Sequence, residues 1–315
     1  MLFNDIKLVA VAGSGQMGAD TATLCIGNGF RTLMLTHSEE GRVRGLNSVR
    51  NNFAELKGQG LLNDRQIETA LSRLRVEVGM DKGADAEFIF EAVVERPEVK
   101  IDVYRQLEAV CRPDAIFASI TSGISPDILA EGIARKDRLI VTHSWNPAHL
   151  IPLVEVVRSR HTSDETTQTA VDLLKAMKRE VVVLKKNIPG FIGNRLMHAM
   201  FREALYLVEN GYCDPEDVDR TVYYSFGQRY SSVGLLEYFD SVGLDLDYNV
   251  ESYLFETLCD AKAPQKYLVE RYQRGDLGPK TGRGVFDWTK KDLGDFRTRK
   301  NRPFFKMFNW NIDVE

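Results

Sequence analysis

The chain has 315 residues, of which 43% are hydrophobic and 27% charged, with a net charge of −4. That is an ordinary soluble globular composition, long enough for two domains with substantial cores, and its charge balance argues against a nucleic-acid partner, which calls for clustered excess positive charge. No apolar run is long enough to span a bilayer, and the start, M-L-F-N-D-I-K, lacks a basic segment followed by an apolar core and cleavage site, so a cytoplasmic protein with no membrane partner is expected. Cys25, Cys111, Cys213 and Cys259 lie far apart with no C-x-x-C spacing, which suggests thiols in a reducing compartment and neither a disulfide framework nor a metal site.

Residues 6–13, I-K-L-V-A-V-A-G, read as a short apolar strand running into Gly13-Ser14-Gly15-Gln16-Met17-Gly18 and then a helix. Strand, glycine turn and helix in this order make a dinucleotide site. Gly13 permits the tight turn, Gly15 the close approach of a pyrophosphate, and Gly18 the packing of helix on strand, with the phosphates at the helix N-terminus beside Gln16 and Met17. The alternative is a purely structural glycine turn. The next strand, R-T-L-M-L-T, ends in Thr36-His37-Ser38 where an acidic ribose ligand is usual, with Glu39, Glu40 and Arg42 beyond. The two glutamates would repel a 2'-phosphate and favour NAD. Thr36, Ser38 and Arg42 would suit one, which leaves NADP open.

From about residue 40 to 73, apolar residues at helical spacing predict two charged helices around Gly58-Gln59-Gly60, a hairpin inserted into the alternation of strands and helices. Alternation resumes with L-R-V-E-V, E-F-I-F-E-A-V-V, a helix P-E-V-K-I-D-V-Y-R-Q-L, the strand A-I-F-A-S and a helix opened by Ser125-Pro126-Asp127. The pattern predicts an α/β fold with a Rossmann-type, mostly parallel sheet covered on both faces. The strand R-L-I-V-T then delivers His143 at its end. An Asn-Pro turn and a second apolar strand follow, carrying Glu155. A carboxylate across a turn from an imidazole can fix its tautomer and raise its basicity, making a base with its orienting partner; the alternative for an isolated histidine is one that merely satisfies the turn.

One more helix and the strand R-E-V-V-V-L complete this part. After Lys185-Lys186-Asn187-Ile188-Pro189-Gly190 the remaining chain reads as helices, giving a dinucleotide-binding domain over 1–186 and an all-helical substrate and dimerisation domain over 187–315. Apolar residues surround most of the helix beginning F-I-G-N-R, which is expected to be buried in the helical domain or in a subunit interface. Residues 288–315 interleave arginines and aromatics and are expected to form a subunit-packing tail.

The segments V-A-G-S-G-Q-M-G, E-A-V-V-E-R-P-E-V-K, A-S-I-T-S-G-I-S, H-S-W-N-P-A-H-L-I-P-L-V-E-V-V, I-P-G-F-I-G-N-R-L, G-L-L-E-Y-F-D-S-V-G-L-D and P-K-T-G-R-G-V-F-D-W together resemble the L-3-hydroxyacyl-CoA dehydrogenase family over nearly the whole chain. The form of the histidine segment, the short hairpin and Gln228-Arg229-Tyr230 look closest to the branch containing lambda-crystallin, L-gulonate 3-dehydrogenase and carnitine 3-dehydrogenase. The resemblance implies an NAD-dependent oxidoreductase moving a hydride between the nicotinamide and the 3-hydroxyl or 3-oxo carbon of a small hydroxy acid. It implies His143 as the base, Glu155 as its orienter, Ser122 and Asn194 as donors to the substrate oxygen, Glu95 and Lys100 as cofactor contacts, and a homodimer.

Two departures bear on the substrate. Ser144-Trp145 follows the histidine where the family has other residues, and Gly123 replaces a second serine. In the hairpin, Val49-Arg50-Asn51-Asn52-Phe53 offers one cation where a CoA-binding relative has several, and Arg229 is a candidate fork for a free carboxylate. The alternatives are a 3-hydroxybutyryl-CoA dehydrogenase with an acyl-CoA substrate, and a non-catalytic structural protein on the same fold.

Overall fold

The computed structural model describes residues 2–314. Eight strands, β1 (Leu8–Ala12), β2 (Arg31–Thr36), β3 (Leu74–Val78), β4 (Phe88–Glu91), β5 (Ile116–Ser119), β6 (Leu139–Ser144), β7 (Leu153–Arg158) and β8 (Glu180–Val183), form one sheet in the order β3-β2-β1-β4-β5-β6-β7-β8. Every neighbouring pair is parallel except β6 and β7. Between and after them run α1 (Gln16–Gly27), α2 (Glu39–Gly58), α3 (Asp64–Leu71), α4 (Pro97–Val110), α5 (Pro126–Leu129) and α6 (Asp164–Ala176).

The apolar strands are hydrophobic on both sides because both sides are covered. Val9, Val11, Phe88 and Phe90 pack on one face with Ala19, Val49, Phe53 and Leu173 of α1, α2 and α6. The intervening Ala10, Ala12, Ile89 and Phe117 pack on the other with Val103, Tyr104, Leu107 and Leu129 of α4 and α5. The hairpin is set by its caps. Ser38 accepts the N–H of Gly41 at the start of α2, and Asn63 with Gln66 forms a reciprocal capping box on α3. Because β1 lies between β2 and β4, the connections diverge there, and a ligand crevice is expected at the carboxyl ends of these strands.

The compact units depart from the expected domain bounds in two places. The compact units are Met1–Ile192 with Asn301–Glu315, and Gly193–Lys300, so the break falls after residue 192 and not after 186. The reason is local: Phe191 is buried in the core of the first unit, and the N–H of Ile192 donates to Glu155 at 2.8 Å. The end of the chain, residues 301–315, also belongs to the first unit. Phe305, Trp310 and Ile312 are buried in the first unit's core, where the Trp310 ring lies against Gly27 so closely that a Cβ on that glycine would sit 2.3 Å from it.

The second unit is helical, with α7 (Gly193–Glu209), α8 (Pro215–Tyr224), α9 (Phe226–Arg229), α10 (Leu235–Val242), α11 (Leu244–Leu254), α12 (Lys266–Arg274) and the first part of α13 (Leu293–Lys306). Of the residues of α7 only Leu205 is buried, while Leu196, Met197, Met200 and Phe201 are exposed. Burial inside the helical unit, one of the two alternatives for this helix, therefore does not describe the chain by itself.

Candidate active site

The reversal of β7 against β6 does what sequence spacing could only suggest: His143 and Glu155 are directly opposite partners in the antiparallel ladder, so their side chains leave the same face of the sheet. Nδ1 of His143 lies 2.8 Å from Oε2 of Glu155, with the residues 3% and 1% exposed. With Glu155 ionised its carboxylate only accepts, which calls for the hydrogen on Nδ1 and, in a neutral ring, leaves the lone pair on Nε2. The ring sits between Trp145 and Phe191, with centroids 5.8 and 5.3 Å away. Phe191 holds a left-handed backbone, φ 51°, which costs a non-glycine residue about 1 kcal/mol or more. Burial of its ring offsets that strain.

β4 and β5, parallel to β6, end at the same edge of the sheet, and a buried polar cluster ties their ends together. Glu91, the last residue of β4, is fully buried and uses both oxygens twice. Oε1 accepts from Lys100 Nζ at 2.8 Å and Val93 N–H at 2.8 Å, and Oε2 accepts from Tyr104 at 3.0 Å and Ser119 at 2.7 Å. Burial, with the Glu91 carboxylate beside it, holds the Tyr104 phenol well above its ordinary pKa. The ammonium of Lys100 also reaches Glu95 at 3.2 Å and the carbonyl of Val93 at 3.4 Å, so its three donors are all engaged. Lys100, expected to contact the cofactor, is 1% exposed and holds Glu95.

Glu95 in turn accepts the hydroxyl of Thr121 and the N–H of Ser122, the latter at 2.9 Å. Ser122 is exposed in the loop after β5, at the same end of the sheet as His143, the penultimate residue of β6. Sequence reading missed Glu91, Tyr104, Ser119 and Phe191. Glu91 and Ser119 end apolar strands, and a polar residue closing such a run was the available signal.

The glycine turn fits a dinucleotide. Gly13 has φ 123°, and a Cβ there would lie 2.6 Å from the Ala92 carbonyl; one on Gly18 would lie 2.1 Å from the carbonyl of Gly13. Gly15, by contrast, faces space with no atom within 4 Å of where a Cβ would be, and no side chain caps the amides that open α1. An uncapped N-terminus beside an open glycine is the arrangement a pyrophosphate requires. Gln16 reaches across to Asn146 at 3.2 Å, and Met17 packs against the core. The groups that would suit a 2'-phosphate are otherwise engaged: Thr36 donates to the Ser38 carbonyl at 2.7 Å, Ser38 caps α2, and Arg42 is paired with Glu39. That pairing holds the Glu39 carboxyl below its usual range.

Asn194 and Arg229 belong to the second unit. Asn194 is the second residue of α7, partly buried. Arg229 ends α9, exposed, with its guanidinium 4.3 Å from the centre of the Tyr238 ring, a cation–π contact. Among the described residues no group of three His, Cys, Asp or Glu side chains is placed to hold a metal ion, and no helix is long and apolar enough to cross a membrane.

Residues 8–188 match the family profile described as 3-hydroxyacyl-CoA dehydrogenase, NAD binding domain, and residues 190–288 the corresponding C-terminal domain. The chain is 34% identical over 284 residues to a 3-hydroxybutyryl-CoA dehydrogenase of Bradyrhizobium diazoefficiens, spanning 90% of this chain and 96% of the relative. It is 35% identical over 232 residues to an L-carnitine dehydrogenase of Bacillus cereus, spanning 73% of this chain and 70% of the relative. The solved structure of 5-formyl-3-hydroxy-2-methylpyridine 4-carboxylic acid 5-dehydrogenase, an NAD+ dependent dismutase, is similar with a TM-score of 0.88 at 29% identity, over 96% of this chain and 97% of that one.

Proposed function

Because the chain belongs to the 3-hydroxyacyl-CoA dehydrogenase family and carries its NAD-binding domain, we propose that it interconverts the 3-hydroxyl and 3-oxo forms of a small free hydroxy acid. The observation that carries the proton chemistry is the buried, face-to-face His143–Glu155 pair. Nε2 of His143 takes the hydroxyl proton as the C3–H bond breaks, and the adjacent carboxylate stabilises the imidazolium that results. NAD, held by the turn Gly13–Gly18 with Gln16, Met17 and Glu95 alongside, supplies the hydride acceptor. Ser122 and Asn194 donate to the substrate oxygen, where negative charge develops.

Two features support a free acid over a CoA thioester. Between Val49 and Phe53 the hairpin presents Arg50 as its one cation, with Asn52 turned inward to Asp20 and Thr23, whereas a phosphorylated nucleotide calls for several charged donors. Arg229, in contact with the Tyr238 ring, is a fork suited to one carboxylate. A second reading, oxidation of a short 3-hydroxyacyl-CoA, is supported by the Bradyrhizobium relative.

The decisive experiment assays NAD reduction with free 3-hydroxy acids beside 3-hydroxybutyryl-CoA. Turnover of a free acid should dominate, and Arg229→Met should raise its KM by a factor set by roughly 1.5–3 kcal/mol, the value of a hydrogen bond to a charged group. Far faster oxidation of the thioester would overturn the free-acid reading. His143→Gln should lower kcat by about a hundred- to ten-thousand-fold while NADH binding, followed by fluorescence, persists; full kcat in that variant would remove the base. The same reading includes a homodimer, supported by the exposed apolar residues of the second unit, and a cytosolic location, supported by four free thiols.

A further inference from the structure

α1, whose N-terminus opens onto the glycine turn, carries a buried carboxylate that the reaction as described above does not use. Asp20 is 2% exposed. Its Oδ2 accepts the N–H of Ala148 at 3.3 Å and its Oδ1 accepts from Asn52 at 2.9 Å. Nδ1 of His149 lies 3.3 Å from Oδ1, although not aligned for a hydrogen bond. Ala148 and His149 belong to the loop 145–152, which joins β6 to β7 and therefore joins His143 to Glu155.

The same loop is held from its other side by Arg179, also buried. Its Nη1 donates to the carbonyls of Ile151 at 3.1 Å and Ala148 at 3.5 Å, and its Nε to that of Met177 at 3.1 Å. With backbone carbonyls as these partners, burial pushes its pKa down to about 10. Ala148 is thus bracketed, its N–H on a buried anion and its C=O on a buried cation. A third tie, Gln16 to Asn146 at 3.2 Å, links the first turn of α1 to the same loop. Burying two charges is unfavourable unless each is satisfied. Here each also has a partner outside the loop, Asn52 for Asp20 and Met177 for Arg179, so each charged group is itself anchored and ties the loop backbone at 3.1–3.5 Å from opposite sides.

We propose that Asp20 and Arg179 are positioning residues that clamp the loop 145–152 to the cofactor-binding helix, keeping His143 and Glu155 in register with a dinucleotide at the N-terminus of α1. This rests on the reading of His143 and Glu155 as the proton-transfer pair. The clamp adds the reason the pair stays aligned with the hydride acceptor. Asp20→Ala should lower kcat about a hundredfold, the scale of loss that a misplacement of roughly 1 Å produces, with the KM for NAD nearly unchanged. Amides of Asn146 and of residues 148–151 should then exchange faster with deuterium, because local opening becomes easier.

Asp20→Asn, which keeps an acceptor for the Ala148 N–H, should recover most of kcat. Arg179→Met releases the loop from the opposite side and should lower kcat in the same manner, so the test stands even if Asp20→Ala does not fold. Full kcat with unchanged exchange in a folded Asp20→Ala or Arg179→Met protein overturns the clamp. His143→Gln measured in parallel separates the two ideas. An inactive His143→Gln beside a fully active Asp20→Ala removes the clamp alone, whereas an active His143→Gln removes the proton-transfer pair and the clamp's purpose with it.

Discussion

Lys100 is tied to the candidate site through a chain of contacts. Its ammonium neutralises Glu91 in the core and leaves a second contact for Glu95, which in turn holds the N–H of Ser122. Removing one partner of a buried pair strands the other charge, so Lys100→Met should destabilise the protein by about 3–5 kcal/mol, read from the denaturant midpoint. The same variant frees Glu95 and should raise the KM for the hydroxy acid. A Lys100→Met protein with wild-type stability would show that Glu91 is satisfied by Tyr104, Ser119 and Val93 alone.

At the scale of elements, the β1–α1 turn and the C-terminal segment make contrasting predictions. Gly15 faces open space and has an ordinary backbone conformation, so Gly15→Ala should fold normally yet obstruct the close approach of a pyrophosphate. Titration with NADH should show weaker binding at an unchanged melting temperature; unchanged affinity would place the phosphates elsewhere. The C-terminal segment, in contrast, is structural. Trp310 fills the space left by Gly27 on α1, and Trp310→Ala should cost about 3–5 kcal/mol, as large-to-small changes in cores do. Urea unfolding measures this, and a loss below ~1 kcal/mol would mean the segment is dispensable.

For the molecule as a whole, the unequal burial of the two units is the informative feature. The first unit has two closed cores on the faces of its sheet, whereas the second leaves large apolar side chains in water, among them Leu236 at 81% exposure and Leu244 at 64%. Exposed apolar patches of this kind mark association surfaces, and symmetric pairing of identical chains is the commonest closed solution. Sedimentation should find a dimer at micromolar concentration, and Leu236→Glu should shift it toward monomer. A wild-type monomer at all concentrations would end the dimer reading.

Much of this was legible in the residues because it is local. The glycine turn, the alternation of strands and helices, the inserted hairpin and the helical second half follow from backbone permissiveness and apolar periodicity over short windows. His143 and Glu155 were legible as a pair twelve residues apart in the chain. What pairing could not reveal was that β7 runs antiparallel to β6, which turns proximity in sequence into direct opposition across the ladder. The same limit hid Glu91, whose partners come from α4 and β5, and Asp20, whose partners come from α2 and the loop after β6. It also hid the return of Trp310 to the first unit. Periodicity reports which face of an element is buried; only the tertiary structure decides against what, because a buried charge or ring is satisfied by residues remote in the chain.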